Sequence, residues 1–429
     1  MDHARNKIHL ISFLSIFLSA CSPKPGEVLI KDLETKYANL YVNGETTKRQ
    51  AIKELSDYLE KNSFTDENLE TINHKLHKIG DGHVVLYDSR AEKNVRYQSG
   101  LKFYPGSFIV SSCESCIPAV PAGKYALAEV NNKPLSFYIE EKKDTVAASS
   151  KWGRDYRVVE LLRENPKEED ITVRLIPIKG QAINTKLQWT KKENKTPVCV
   201  SSERLRDDLF KLNVLSLWCD DPTAPGDRNQ IFENFKKQFD AAIAGAKPTD
   251  KFIIDLRENG GGGDYEVEYV LNTFFEKSIF VYKYQYLRKT HPGTMKWIEK
   301  IWPFKLGLWS PVEFQYADLS RRPSQTFFNN RAVTMISAGC FSSCEGIASA
   351  LKQEKRTVVI GETTHGGAGD PVPFPIKGTP FSINLPTCVV WQKDGSLYEG
   401  QGVKPDMVKI QDRLSPADDV LQMAIGLIQ

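Results

Sequence analysis

Ile336-Ser337-Ala338-Gly339-Cys340-Phe341-Ser342-Ser343-Cys344-Glu345 marks the place where a β-branched stretch, Ala332 to Ile336, stops and a helix-forming stretch running on to Glu354 begins. A hydroxyl at such a junction stands at the sheet edge, and the first N–H groups of the helix point toward any negative charge that forms beside it. Ser342 is therefore placed for nucleophilic attack. A serine ahead of a glutamate is also the usual way to cap a helix, so these ten residues alone support both readings.

Working outward, strand and helix patterns alternate. Phe252 to Arg257 reads as a strand, Tyr265 to Glu276 as a helix, Ala332 to Ile336 as a strand, and Thr357 to Gly361 as a strand after the Ser342 helix. That order predicts an α/β domain over residues 198–429. Chemistry in open α/β sheets collects at the carboxyl ends of the strands, where Ser342 and the run Asn259-Gly260-Gly261-Gly262-Gly263 would both fall. Four glycines let backbone N–H groups approach a ligand closely. The run lacks the Gly-Lys-Ser/Thr ending of a nucleotide-binding loop.

Residues 26–90 read as a helical segment. Ile52, Leu55 and Leu59 share one face and Leu69, Ile72, Leu76 and Ile79 another, with Thr65 as a cap and Gly80 as a stop. The second helix delivers Gly80-Asp81-Gly82-His83-Val84-Val85-Leu86, a glycine-flanked histidine entering a strand. Residues 91–190 change to short strands and turns, such as Leu101 to Tyr104, Phe108 to Val110 and Thr172 to Ile176. Within them Ala122 to Leu135 looks like part of a PDZ-type module, which would hold a peptide as an added strand; a β-rich insertion without a ligand is the plainer alternative. A polar stretch from Lys191 to Pro197 makes a boundary. Trp297, Trp302 and Trp309, in the aromatic segment 296–309, read as buried packing, with a lid or substrate wall as the alternative.

Composition bounds the function. The chain of 429 residues is 41% hydrophobic and carries a formal charge of +3, with no basic block interleaved with aromatics, so nucleic acid is set aside as a partner. Arg5 and Lys7 precede an apolar run from Ile8 to Leu18, too short to span a bilayer comfortably, and Leu18-Ser19-Ala20-Cys21 follows. Residues 1–21 thus resemble a bacterial lipoprotein signal, which implies a lipidated Cys21 tethering the chain to a membrane and facing the periplasm. Ser22 leans toward the outer membrane.

Seven further cysteines, at 113, 116, 199, 219, 340, 344 and 388, leave at least one thiol unpaired within the chain. Cys113-Glu-Ser-Cys116 reads as a local disulfide rather than half a metal site. Cys340 and Cys344 bracket Ser342 and could bond to each other or to Cys388.

Taken together, Asp255-Leu-Arg-Glu-Asn-Gly-Gly-Gly, Phe341-Ser342-Ser343-Cys344-Glu345, Val358-Val-Ile-Gly-Glu362-Thr-Thr and Glu399-Gly-Gln-Gly-Val-Lys-Pro-Asp406 resemble the tail-specific, or C-terminal-processing, serine peptidases. They occur in that family's order and cover most of residues 250 to 410. The resemblance implies a peptidase acting on polypeptide, with no metal or organic cofactor. In the processing branch a lysine after this Gly-Glu turn is the base. Here the stretch reads Gly361-Glu-Thr-Thr-His365-Gly366-Gly367, with Gly367 at the lysine position. The chain therefore resembles the tricorn-like branch, whose base is a histidine in an Asp-Gly-His type loop and whose orienter is a glutamate of the closing motif.

By that resemblance Ser342 is the nucleophile, His83 the base and Glu399 the orienter, acting directly or through a relay. Chemistry agrees: a serine hydroxyl needs a base, imidazole titrates in the useful range, and a carboxylate stabilises the imidazolium. Backbone N–H groups of Gly261 or Gly262 and of Ser343 would form the oxyanion hole. His365 is the rival base and Ser343 the rival nucleophile. His74 and His77 read as solvated, and Asp255 and Arg257 as support for the strand end. The leading expectation is a serine endopeptidase; the alternative is a non-catalytic peptide- or lipid-binding protein on the same fold.

Overall fold

The computed structural model describes residues 23–90, 96–193, 196–220, 226–287, 290, 309–412, 415 and 417–428. The signal, Cys21, and the aromatic segment except Trp309 lie outside the described residues.

Apolar side chains spaced three and four apart wind into helices α1 (Pro25–Lys36), α2 (Glu45–Lys61) and α3 (Leu69–His77). Leu29, Leu33, Leu55, Ile72 and Leu76 pack against one another. Gly80, at φ +72°, stops the run as expected. Thr65 does not cap it; a single turn, Asp66–Asn68, intervenes and the Thr65 side chain makes no capping bond. Strand β1 (Val85–Asp88) then pairs antiparallel with Phe381–Asn384, and Ile376, Ile383 and Leu385 complete the helical core. Packing thus crosses the sequence boundary at residue 90.

The β-rich module has a core of its own. Strands β2 (Lys102–Phe103), β3 (Ile109–Ser112), β4 (Tyr125–Val130), β5 (Thr172–Pro177) and β6 (Ile183–Lys186) lie in that order in one antiparallel sheet. Helices α4 (Leu135–Lys142) and α5 (Lys151–Glu160) accompany them, and Val158 and Val159 of α5 join Val110, Leu127 and Leu175 in the core. Cys113 and Cys116 form the local disulfide.

The third unit carries strands β7 (Val200–Arg206) and β8 (Leu209–Val214), helix α6 (Arg228–Ile243), β9 (Lys251–Asp255), helix α7 (Asp264–Phe274), β10 (Phe280–Tyr286), β11 (Glu313–Tyr316), β12 (Ala332–Ile336), helix α8 (Ser343–Gln353), β13 (Val358–Gly361), β14 (Pro371–Pro375), β15 (Phe381–Pro386), β16 (Cys388–Trp391), β17 (Met407–Val408) and helix α9 (Asp419–Leu427). Its main sheet runs β7-β8-β9-β12-β13-β17, antiparallel at β7 and parallel from β8 onward. Strand β12 is buried at every position, as a parallel strand covered by helices on both faces must be. The fold is the expected mixed α/β class. The five elements expected between 251 and 361 fall within two residues of their bounds, because helix and strand periods differ sharply there, whereas β10 and β11 were not expected.

Two features brace the strand ends. Arg257, 1% exposed, bonds Asp255 at 2.8 and 2.7 Å and Asp418 at 2.9 and 2.8 Å, clamping β9 to the start of α9. Cys340 pairs with Cys344 and Cys199 with Cys219, leaving Cys388 as a buried thiol.

Candidate active site

Strand β12 ends at Ile336 and helix α8 starts at Ser343, so Ser342 stands on the intervening turn. Its backbone is held at φ 57°, ψ −127°, a conformation that a non-glycine residue adopts only under constraint. Glu345 supplies that constraint: its buried carboxylate accepts the Ser342 N–H at 3.2 Å, the Gly366 N–H at 2.9 Å, the Gly367 N–H at 2.8 Å and the Thr364 hydroxyl. Burial pushes this carboxyl up to about 7 against the pull of those donors. The Ser342 hydroxyl faces His83, whose Nε2 lies 3.1 Å from Oγ. Ser342 and Glu345 thus form a capping box at the start of α8, and the same serine oxygen lies within hydrogen-bond reach of His83.

Burial pushes the His83 imidazole down to about 4, with Asp81 pulling it back up and Arg157 pushing it further down. The ring is neutral at pH 7 and can accept a proton. It stacks on Phe341, with centroids 4.4 Å apart at 27°.

Glu399 is buried, but no hydrogen bond joins it to His83. Its Oε2 accepts the Asn39 amide at 3.2 Å and the Ala368 N–H at 3.4 Å, and its Oε1 and His83 Nδ1 are both buried without a protein partner. Asp81 is the carboxylate nearest the ring in the base loop, with Oδ1 4.0 Å from Nδ1. Asn39 Nδ2 ties the two acids together, reaching Asp81 Oδ2 at 3.0 Å as well as Glu399. Burial, then the Asp81 charge, lifts the Glu399 carboxyl well above its ordinary value.

The glycine turn abuts the nucleophile. Gly261, at φ +93°, lies so close that a Cβ there would stand 2.6 Å from the Phe341 carbonyl and 2.8 Å from Ser342 Cβ. Its N–H is already committed to Asn259 Oδ1 at 2.8 Å, which corrects the expectation that it serves the oxyanion hole. Gly262 and Ser343 remain as the expected donors; the Ser343 hydroxyl donates to the Gly262 carbonyl at 2.8 Å and so is turned from the base.

The rival base is placed elsewhere. His365 is 1% exposed, its Nδ1 faces the Ala338 carbonyl at 3.2 Å, and it meets Phe341 edge-on at 4.6 Å. His77 is not solvated as expected: it is half-buried, with Nδ1 3.0 Å from the Asp144 carbonyl. Gly367 has no room for a side chain. A Cβ there would sit 2.2 Å from Phe341 Cε2, so the phenyl ring fills the space a side chain would need. Gly367→Ala should lose about 1–3 kcal/mol of stability from overpacking and about 10²-fold in turnover from the displaced ring; thermal unfolding and a turnover assay check both.

A cleft of about 870 Å³ opens beside Ser342, walled by Tyr282, Tyr284 and Tyr286 of β10 and by Pro371 and Pro373 of β14. Among the described residues no cluster of His, Cys, Asp or Glu could hold a metal. The site residues that escaped notice in the sequence are Asp81, Asn39, Ser149 and Arg157, while Glu345 was read only as a helix cap. Of the four, only Asp81 carried a signal, two positions from the histidine in the same turn.

Residues 228–409 match the model of peptidase family S41. The chain carries an S41 peptidase domain. Its fold is similar to that of mature CPAF, at a TM-score of 0.64 and 13% identity over 89% of this chain and 91% of that one. A structure of CPAF complexed with lactacystin gives 0.63 at 12% identity over 94% and 95%. A putative peptidase from Parabacteroides merdae gives 0.50 at 16% identity over 95% and 97%. The S41 domain spans α6 through β17, so β1, with the His83 loop just before it, and the β-rich module stand outside the matched range while contributing to the site.

Proposed function

We propose that this S41 protein is a serine endopeptidase that hydrolyses polypeptide through Ser342, in the Ser-His manner of the tricorn-like branch. The observation that carries the reading is the 3.1 Å approach of His83 Nε2 to Ser342 Oγ at the mouth of an open cleft. Ser342 Oγ attacks the scissile carbonyl carbon as His83 takes its proton. The N–H groups of Gly262 and Ser343 donate to the oxyanion, and the imidazolium returns the proton to the leaving amine. Water then releases the acyl group by the same steps in reverse. Asp81 and Glu399 together stabilise the imidazolium, Glu399 through a polar relay rather than a direct bond.

A fluorophosphonate probe tests this. Wild-type protein should be labelled and Ser342→Ala should not; a folded wild type that takes no label is a binder, not an enzyme.

We also propose, from the leader sequence, that the mature chain is a periplasm-facing lipoprotein held at the outer membrane by Cys21. Cys21→Ser should move the protein from the membrane fraction to the soluble one; unchanged fractionation would count against the anchor.

A further inference from the structure

Arg157 of α5 is a cation set deep beside the site with no ion pair among the described residues. Its Nη1 donates to the Gly82 carbonyl at 3.1 Å and to the Ala147 carbonyl, and its guanidinium lies 4.6 Å from the centroid of Phe341. Ser149, from the same module, accepts the Gly82 N–H at 2.8 Å and places its hydroxyl against the Glu399 carboxylate. The residue just before the base is thus gripped at both its N–H and its C=O by side chains of the β-rich module. The ring on which the imidazole stacks is covered by one of the same two side chains.

We propose that Arg157 and Ser149 are positioning residues of the catalytic site, so that the module is a working part of the peptidase and not only an accessory to it. The proposal rests on the Ser342–His83 reading above. Arg157 fixes the His83 loop and supplies a cation that balances two buried carboxylates; Ser149 joins that loop to Glu399.

The groups facing the imidazole are Asp81 in its own loop, Arg157 of α5 and His365 of the glycine loop, with Glu399, Tyr37 and Lys48 behind Asp81. Arg157 opposes a second positive charge on the ring, and its field favours ionised Asp81 and Glu399. Removing it lets the ring hold its proton to higher pH. Removing the Asp81 charge shifts the ring the other way.

The test is a set of four variants, Arg157→Met, Arg157→Lys, Ser149→Ala and Asp81→Asn. Arg157→Met should lower kcat by about 10²-fold with KM nearly unchanged, and raise the midpoint of the acid limb of kcat/KM by about one pH unit. Arg157→Lys should return the limb toward wild type, and Asp81→Asn should lower its midpoint. Ser149→Ala should lower kcat without moving KM, and it carries the test if Arg157→Met does not fold. An NMR titration of the His83 ring in a Ser342→Ala background reads the same signed shifts in a chain that cleaves nothing. Absence of Ser342-dependent turnover would thus overturn the peptidase reading alone. Folded Arg157→Met and Ser149→Ala proteins with wild-type kcat and ring titration would overturn the positioning role alone.

Discussion

Replacing His83 with alanine should lower kcat/KM for polypeptide hydrolysis by about 10⁴- to 10⁶-fold, the scale seen when one member of a serine triad is removed. Such a loss follows because Ser342 Oγ has no other base within hydrogen-bond reach among the described residues. His365 cannot substitute, since its nitrogens lie toward Ala338 and the buried interior. In the wild type the base must be neutral to accept a proton, and burial holds His83 down to about 4. Activity should therefore persist as pH falls through 6 and disappear only as the ring protonates well below that. A His83→Ala variant that keeps a tenth of wild-type turnover would contradict the assignment, whereas an acid limb near pH 6.5 would contradict only the downward shift that burial gives the ring.

Arg257→Met should cost about 3–5 kcal/mol of unfolding free energy, because it takes the buried guanidinium from both Asp255 and Asp418 and leaves Asp255 only the Lys211 ammonium at 3.4 Å. Burial works against ionisation of Asp255, yet the Arg257 charge and hydrogen bonds overcome it and hold the carboxyl below its ordinary value. A depressed carboxyl stabilises the fold above its unfolded pKa and loses that contribution as pH falls through the folded one. In the variant this loss should begin at higher pH. Urea unfolding at several pH values measures both effects; a cost under about 1 kcal/mol would show the clamp to be dispensable.

The catalytic sheet was legible in the sequence because its strands and helices carry opposite periods over whole elements. The Ser342 turn, the glycine turn and the His83 loop could be singled out because glycine and serine at strand ends have few other uses. What connects them was not. Asn39, Ser149 and Arg157 lie on elements whose local pattern speaks only of helices and turns, and each acts across more than 65 residues of chain, as Asn39 does on Glu399. Glu399 was found through its motif, but its distance from His83 depends on how three units pack, and no local pattern encodes that. The commitment of the Gly261 N–H to Asn259 was likewise invisible, since a glycine run states that backbone can approach and not which amide is spent on its own turn.

Strand β1, which follows the His83 loop, is completed only by β15, nearly 300 residues later. A nascent chain emerging amino-terminus first carries His83 long before it acquires either Ser342 or the strand that orders the His83 loop. The Ser342–His83 pair therefore cannot assemble during synthesis until the carboxyl-terminal quarter has arrived and folded.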